Sequence, residues 1–446
     1  MDERRSELPF ECDLIMKGGI TSGVVYPGAV VEIANDHRLR SIGGSSAGAI
    51  VAASAAAAEL GRYSNTGGFR KLATLPAELA EVDSDDRTRL QRLFQAQGST
   101  KDLFDLFWFA RSNKGKERRK GVIARLRRHG AVPLKVDVGF FLGLAVAIGL
   151  VVLVAADGEV VGIVAAGILV AAVVGLWLVA RWITKAITGA TKLAKAAPGD
   201  VAANYHGVCN GRTPAGSADP ALTDWLHDTL QALGGRNDDG VDPAERTRPI
   251  TYGDLRAAGI ELVTMTTDIT RGTPMSFPFG TDQWAFNAEE MRVLFPDAVV
   301  DHLVAKAPVP NDEDRRSALE QASLRALPAH ADLPILLGAR MSLSFPLMLS
   351  AIPLYIWAPT PGETEQWRMQ FVKCWLSDGG ITSNLPVHLF DKPLPSRPTY
   401  AINLAGGADP AADDCEKVWR PLTARSGGQP GFWSIESTAQ FMSGLF

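Results

Sequence analysis

Apolar positions near the start of the chain are grouped in short runs. Leu14-Ile15-Met16 has the length of a buried strand and leads into the glycine-bearing Lys17-Gly18-Gly19-Ile20-Thr21-Ser22-Gly23. Leu39 to Ile42 closes a second short strand, and the alanine-rich residues 47–60 predict a helix. Residues 61–110 read as helical. Leu222, Trp225, Leu226 and Leu230 recur at helical spacing and share one face, which predicts core packing. Strands return from Ile260, and residues 400–404 predict a late buried strand.

Between these segments lie two runs without a charged residue, 138–156 and 160–180, separated by Asp157-Gly158-Glu159. At 1.5 Å per residue each would span about 30 Å as a helix, the thickness of a bilayer core. They read as a transmembrane hairpin. Residues 111–135 carry ten Lys or Arg against the single acid Glu117, and Arg181, Lys185, Lys192 and Lys195 follow the second run. Basic outer flanks with acids only in the turn put both ends in the cytoplasm, and the basic segment suits anionic headgroups. The expectation is a two-pass membrane anchor with a cytoplasmic catalytic domain.

The division that follows is 10–110 for the first part of a catalytic domain, 111–198 for a basic arm and hairpin, 199–405 for the remainder, and 406–446 for an apolar tail. Composition fits this. A length of 446 residues allows one large domain with an insertion, and a net charge of −4 with 21% charged residues argues against a nucleic-acid partner. The first residues lack the apolar core of a signal peptide. Cysteines 12, 209, 374 and 415 have no paired spacing and read as small buried thiols of a reducing compartment. Asn237-Asp238-Asp239-Gly240 lacks the other ligands of an EF-hand and reads as a loop.

Candidate chemistry rests on two separated motifs. Gly44-Ser45-Ser46-Ala47-Gly48 fits G-x-S-x-G, in which small neighbours let a serine stand on a strained strand-to-helix turn. Ser46 is the candidate nucleophile, beside a helix N-terminus whose dipole favours developing negative charge. Ser377-Asp378-Gly379-Gly380 offers Asp378 as general base. The glycine cluster at 18–23 can present N–H groups to an oxyanion, and it lacks the spacing of a P-loop or dinucleotide loop. A Ser-Asp-His triad with His388 is the competing design, but ten residues separate it from Asp378. The other histidines form no metal-spaced cluster.

These motifs resemble the patatin-like phospholipases, bacterial-type, here with an inserted hairpin. That family pairs a G-G-G-x-[RK]-G loop with a serine elbow about two dozen residues later and a distant D-G-[GA] motif. Gly18, Gly19, Gly23 and Gly28 take the loop positions, Ser46 the nucleophile, and Asp378-Gly379-Gly380 the base, followed by Asn384-Leu385-Pro386. Weaker matches run from Ile260 to Phe279 and through Ala339-Arg340-Met341-Ser342 to Phe345-Pro346. Ile20 and Ser22 depart from the loop pattern, replacing its third glycine and its basic residue. The resemblance implies an α/β, three-layer patatin-like fold with a central, mostly parallel sheet interrupted by the hairpin. It also implies serine acyl hydrolysis of phospholipid or another lipid ester by a Ser46–Asp378 dyad, with no cofactor or metal. Gly18, Gly19, Ile20 and Ala47 would hold the oxyanion. The alternatives are a membrane-tethered, non-catalytic regulatory module and a triad esterase.

Overall fold

A computed structural model describes residues 10–19, 25–84, 86–101, 104, 199–361 and 367–403. Its strands are β1 (Phe10–Met16), β2 (His37–Ser45), β3 (Gly207–Cys209), β4 (Glu261–Asp268), β5 (Thr273–Phe277), β6 (Trp284–Phe286), β7 (Arg325–Ala326), β8 (Leu347–Leu349), β9 (Ile352–Pro361), β10 (Trp367–Asp378) and β11 (Thr399–Ile402). Nine of them form one sheet along the path β11-β1-β2-β4-β10-β9-β6-β7, with β5 also on β4, while β3 and β8 pair separately. Pairings from β11 through β1 and β2 to β4 are parallel. Those of β10 with β4 and β9, of β6 with β9 and β7, and of β5 with β4 are antiparallel. The sheet is therefore mixed and not mostly parallel, because the return from β9 to β10 and the short strands beyond it run as antiparallel neighbours.

The helices that bear on the site are α1 (Tyr26–Asp36), α2 (Ala47–Leu60), α3 (Gly68–Ala80), α4 (Leu222–Leu233) and α5 (Ile335–Ser342). The second of these covers the span that its alanine content predicts. It packs on β1, β2 and β4 and touches α3, α4 and α5. A helix enclosed in this way needs no polar face, and alanine serves it twice, as the best helix former and as a side chain short enough for close approach. Leu222, Trp225, Leu226 and Leu230 of α4 are buried, as their spacing predicts. So are Cys12, Cys209 and Cys374, all free thiols. The late strand β11 ends at Ile402, and none of its residues is fully buried, so it is an edge strand and not a core one.

Charge also fastens the elements around α2. The buried Glu59 carboxylate accepts from the Leu39 N–H at 3.3 Å and from Arg62 Nε at 3.1 Å. Arg62 in turn donates to the carbonyls of Ala34 (2.8 Å) and His37 (2.9 Å). One ion pair thus joins the end of α1, the start of β2 and the end of α2. Glu59→Gln keeps the shape and removes the charge, so we expect a stability loss of about 1–2 kcal/mol. It would be read as a lower urea midpoint at unchanged m-value.

Contacts divide the chain into two units, one of Met1–Ala96 with Tyr205–Phe446 and one of Gln97–Asn204. Of the second unit only its ends are described, with a short turn at Gly98–Thr100 and an Asn204 N–H to Asp200 carbonyl bond of 3.1 Å. The expected hairpin helices 138–156 and 160–180 lie outside the described residues. Among the described residues no helix is long and apolar enough to cross a membrane. The transmembrane hairpin, and the two-pass membrane localisation built on it, are therefore withdrawn.

Candidate active site

Sheet register explains how residues so far apart in sequence meet. β4 has two hydrogen-bonding edges, and β5 occupies one of them along residues 264–268. β2 pairs Ser41 to Ser45 with Glu261 to Met265, and β10 pairs Leu376 to Asp378 with Asp268 to Thr266. Each overlaps the stretch bonded to β5, so both lie along the other edge of β4. β2 runs parallel to β4 and β10 antiparallel, and their C-terminal ends meet head to head at Met265 and Thr266. Ser46 leaves the first end and Asp378 closes the second.

At that junction the Ser46 hydroxyl donates to Asp378 Oδ2 at 2.6 Å. Ser46 has φ 54° and ψ −128°, a left-handed backbone that costs a non-glycine residue about 1–3 kcal/mol. The flanking glycines explain why the turn closes. A Cβ on Gly44 would stand 2.5 Å from the Gly48 carbonyl oxygen, and one on Gly48 would overlap the carbonyls of Met16 and Lys17. The G-x-S-x-G spacing is thus a steric requirement, because strand end, helix start and the end of β1 share one small volume.

Asp378 is held on every side. Its N–H donates to the Ser344 carbonyl at 3.0 Å, and its own carbonyl accepts from Thr267 Oγ1 at 2.9 Å. Its Oδ1 accepts from the Gly380 N–H at 2.6 Å. Ser377 is fixed likewise, its hydroxyl on the Ser344 carbonyl at 2.7 Å and its carbonyl on Thr266 Oγ1 at 2.7 Å. Burial pushes the Asp378 carboxyl up to about 6, against the bonds from Ser46 and Gly380, which favour the charged form. A carboxylate poised there is ionised at neutral pH and still basic enough to take a proton.

The residues that follow β1 face the same turn. Tyr26 Oη donates to the Lys17 carbonyl at 2.9 Å, fixing the base of the loop to α1. A Cβ on Gly18 would lie 2.9 Å from Ser46 Cβ, so only a bare backbone fits there. Gly18 donates its N–H to the Asn384 carbonyl at 2.8 Å, a bond that any role at an oxyanion would first have to break. Gly19 follows directly, whereas Ile20 lies outside the described residues. Ala47 opens α2, so its N–H is among those a helix leaves without an internal acceptor.

Among the described residues no histidine is hydrogen-bonded to Ser46 or Asp378, and His388 sits exposed on the turn Val387–Leu389. No group of His, Cys, Asp or Glu there could hold a metal ion. Asp238 anchors a loop instead: it accepts from Ser64 Oγ at 2.8 Å and from Thr66 Oγ1 at 2.6 Å. A groove of about 780 Å³ is lined by Glu11, Arg40, Tyr252 and Arg397 and includes neither Ser46 nor Asp378. Two contributors to the site have no role assigned by the sequence, namely Ser342, whose Oγ accepts from the Ser46 N–H at 3.0 Å, and the Ser344 carbonyl. Ser342 ends the Ala339-Arg340-Met341-Ser342 match and Ser344 lies between it and Phe345-Pro346, a match that marks the segment without assigning a role.

No protein-family model matches the chain. The RpoH suppressor of Rhizobium meliloti (strain 1021) is 33% identical over an alignment of 486 residues that takes in 95% of this chain and 70% of the relative. Similarity at that level over nearly the whole length reflects a common fold and descent, and the chain belongs to the family of that RpoH suppressor.

Proposed function

We propose that the chain is a serine acyl hydrolase of patatin-like type that cleaves ester bonds of lipids, with phospholipids the favoured substrates. The observation that carries this reading is the 2.6 Å bond from the Ser46 hydroxyl to Asp378 on a strained, glycine-flanked elbow. Ser46 Oγ attacks the acyl carbonyl carbon while its proton passes to Asp378 Oδ2. Collapse of the tetrahedral adduct breaks the ester C–O bond, and the leaving alkoxide takes the proton from Asp378. Water then adds to the acyl-serine, giving its proton to Asp378, and Ser46 leaves with that proton as the fatty acid is released. The Ala47 N–H at the start of α2 is placed to serve the oxyanion, and the Gly18 N–H would join it only on leaving the Asn384 carbonyl. Lipid as the acyl donor rests on the resemblance of the motifs. The name of the Rhizobium relative specifies no reaction.

The reading is tested with the full chain and a fluorophosphonate, which phosphonylates an activated serine and spares ordinary ones. We expect stoichiometric labelling of Ser46, none in Ser46→Ala, and fatty-acid release from phosphatidylcholine micelles by the wild type alone. Folded wild-type protein that is neither labelled nor active would favour a non-catalytic regulatory role for the same fold.

A further inference from the structure

The segment that closes α5 reaches both partners of the candidate site from one side. Ser342 is its last helical residue, and its fully buried Oγ accepts the Ser46 N–H at 3.0 Å. Two residues on, the Ser344 carbonyl receives the Asp378 N–H and the Ser377 hydroxyl. Arg340, two residues before Ser342, has a wholly buried side chain with no carboxylate partner among the described residues. Its guanidinium donates to Ser344 Oγ at 2.7 Å, to Thr223 Oγ1 at 3.1 Å and to the carbonyls of Asn210 and Ser350 at 3.2 Å each. Ser344 Oγ donates back to the Arg340 carbonyl at 3.0 Å. A buried cation spread over four neutral acceptors is costly unless all of them stay in place, so it pins the 340–344 segment to α4 and to the loops at 210 and 350.

We propose that Ser342 is a positioning residue for the nucleophile, holding Ser46 in its left-handed backbone from a platform that Arg340 fixes. The proposal rests on the reading of Ser46 as nucleophile. A serine at positive φ relaxes unless its surroundings over-determine it. The helix start satisfies the Ser46 carbonyl, which accepts from the Ala49 N–H at 3.0 Å. Its N–H has the Ser342 hydroxyl, an acceptor supplied from a different element. Removing that oxygen leaves a buried N–H unpaired, and rotating the Ser45–Ser46 peptide toward another acceptor would swing Oγ off Asp378. Asp378 itself is held through the Ser344 backbone and keeps its surroundings when Ser342 loses its hydroxyl.

The test compares wild type and Ser342→Ala in ester turnover, in the second-order rate of fluorophosphonate labelling and in thermal midpoint. We expect kcat and the labelling rate to fall about tenfold with KM within about twofold, as for one lost hydrogen bond at a reacting group. The acid limb of the pH profile should stay where Asp378 sets it. If alanine destabilises the core, Ser342→Cys fills the site with a somewhat larger side chain that is only a weak acceptor and should show the same fall. A folded variant of either kind with wild-type labelling rate, or a loss that merely tracks the unfolded fraction, overturns the proposal while the nucleophile assignment stands. A wild type that takes no label at Ser46 instead removes the reading beneath it.

Discussion

Ser46→Ala and Asp378→Asn should each lower ester turnover by about 10⁴-fold or more while leaving the fold intact, and His388→Ala should stay within about twofold of wild type. The size follows from the division of labour at the site. Without Ser46 there is no atom for the acyl group to join. With asparagine at 378 the hydroxyl loses the group that takes its proton, although Oδ1 can still accept from Gly380. The two losses should not add in the double variant, because each removes the same step. His388 is exposed and bonded to neither residue, so its removal touches no proton path. A folded His388→Ala protein as impaired as Asp378→Asn would move the mechanism to a triad. Residual turnover in Ser46→Ala comparable with wild type would put the chemistry elsewhere.

Much of the elbow was legible because its causes are local. The serine needs glycines two positions either side for steric reasons that the spacing records, and the alanine run that follows has few ways to fold other than as a buried helix. The meeting of Ser46 with Asp378, 332 residues apart, has no such local cause. It depends on β2 and β10 sharing one edge of β4, a fact of register that neither strand's sequence contains. The mixed character of the sheet escaped for the same reason: strands are expected from Ile260 onward, but that β10 pairs antiparallel with both β4 and β9 is again a matter of register between distant segments. In the glycine-bearing segment after β1, glycine content announces a close approach, and Gly18 does press on Ser46. That the Asn384 carbonyl takes the Gly18 N–H is a tertiary fact the motif does not contain. The hairpin illustrates the converse. Two apolar runs of bilayer length give a strong compositional signal, and such a signal cannot by itself distinguish spanning a bilayer from other ways of covering an apolar helix.

Activity and stability should respond to pH in opposite directions through Asp378. The base works only when ionised, so kcat/KM should hold a plateau above pH 7 and fall about tenfold per unit below about 6, reaching about 10² below the plateau at pH 4. Stability runs the other way. The carboxyl is raised in the folded protein from the ordinary 3.8 to about 6, so between those values the native state binds more protons than the unfolded chain, and unfolding free energy declines as pH rises through that window. Roughly two units at 1.36 kcal/mol each make the cost about 3 kcal/mol at neutral pH. Asp378→Asn carries no such cost. Its stability should match wild type near pH 4 and exceed it by up to about 3 kcal/mol at pH 7, in denaturant titrations of the two proteins run side by side. An inactive variant that is more stable at neutral pH and loses its advantage in acid would mean that the fold keeps this carboxylate charged for its reaction and not for its stability. A variant less stable than wild type at pH 7 would mean that the Ser46 and Gly380 bonds outweigh burial. The acid limb of activity would then shift toward the ordinary carboxylate range.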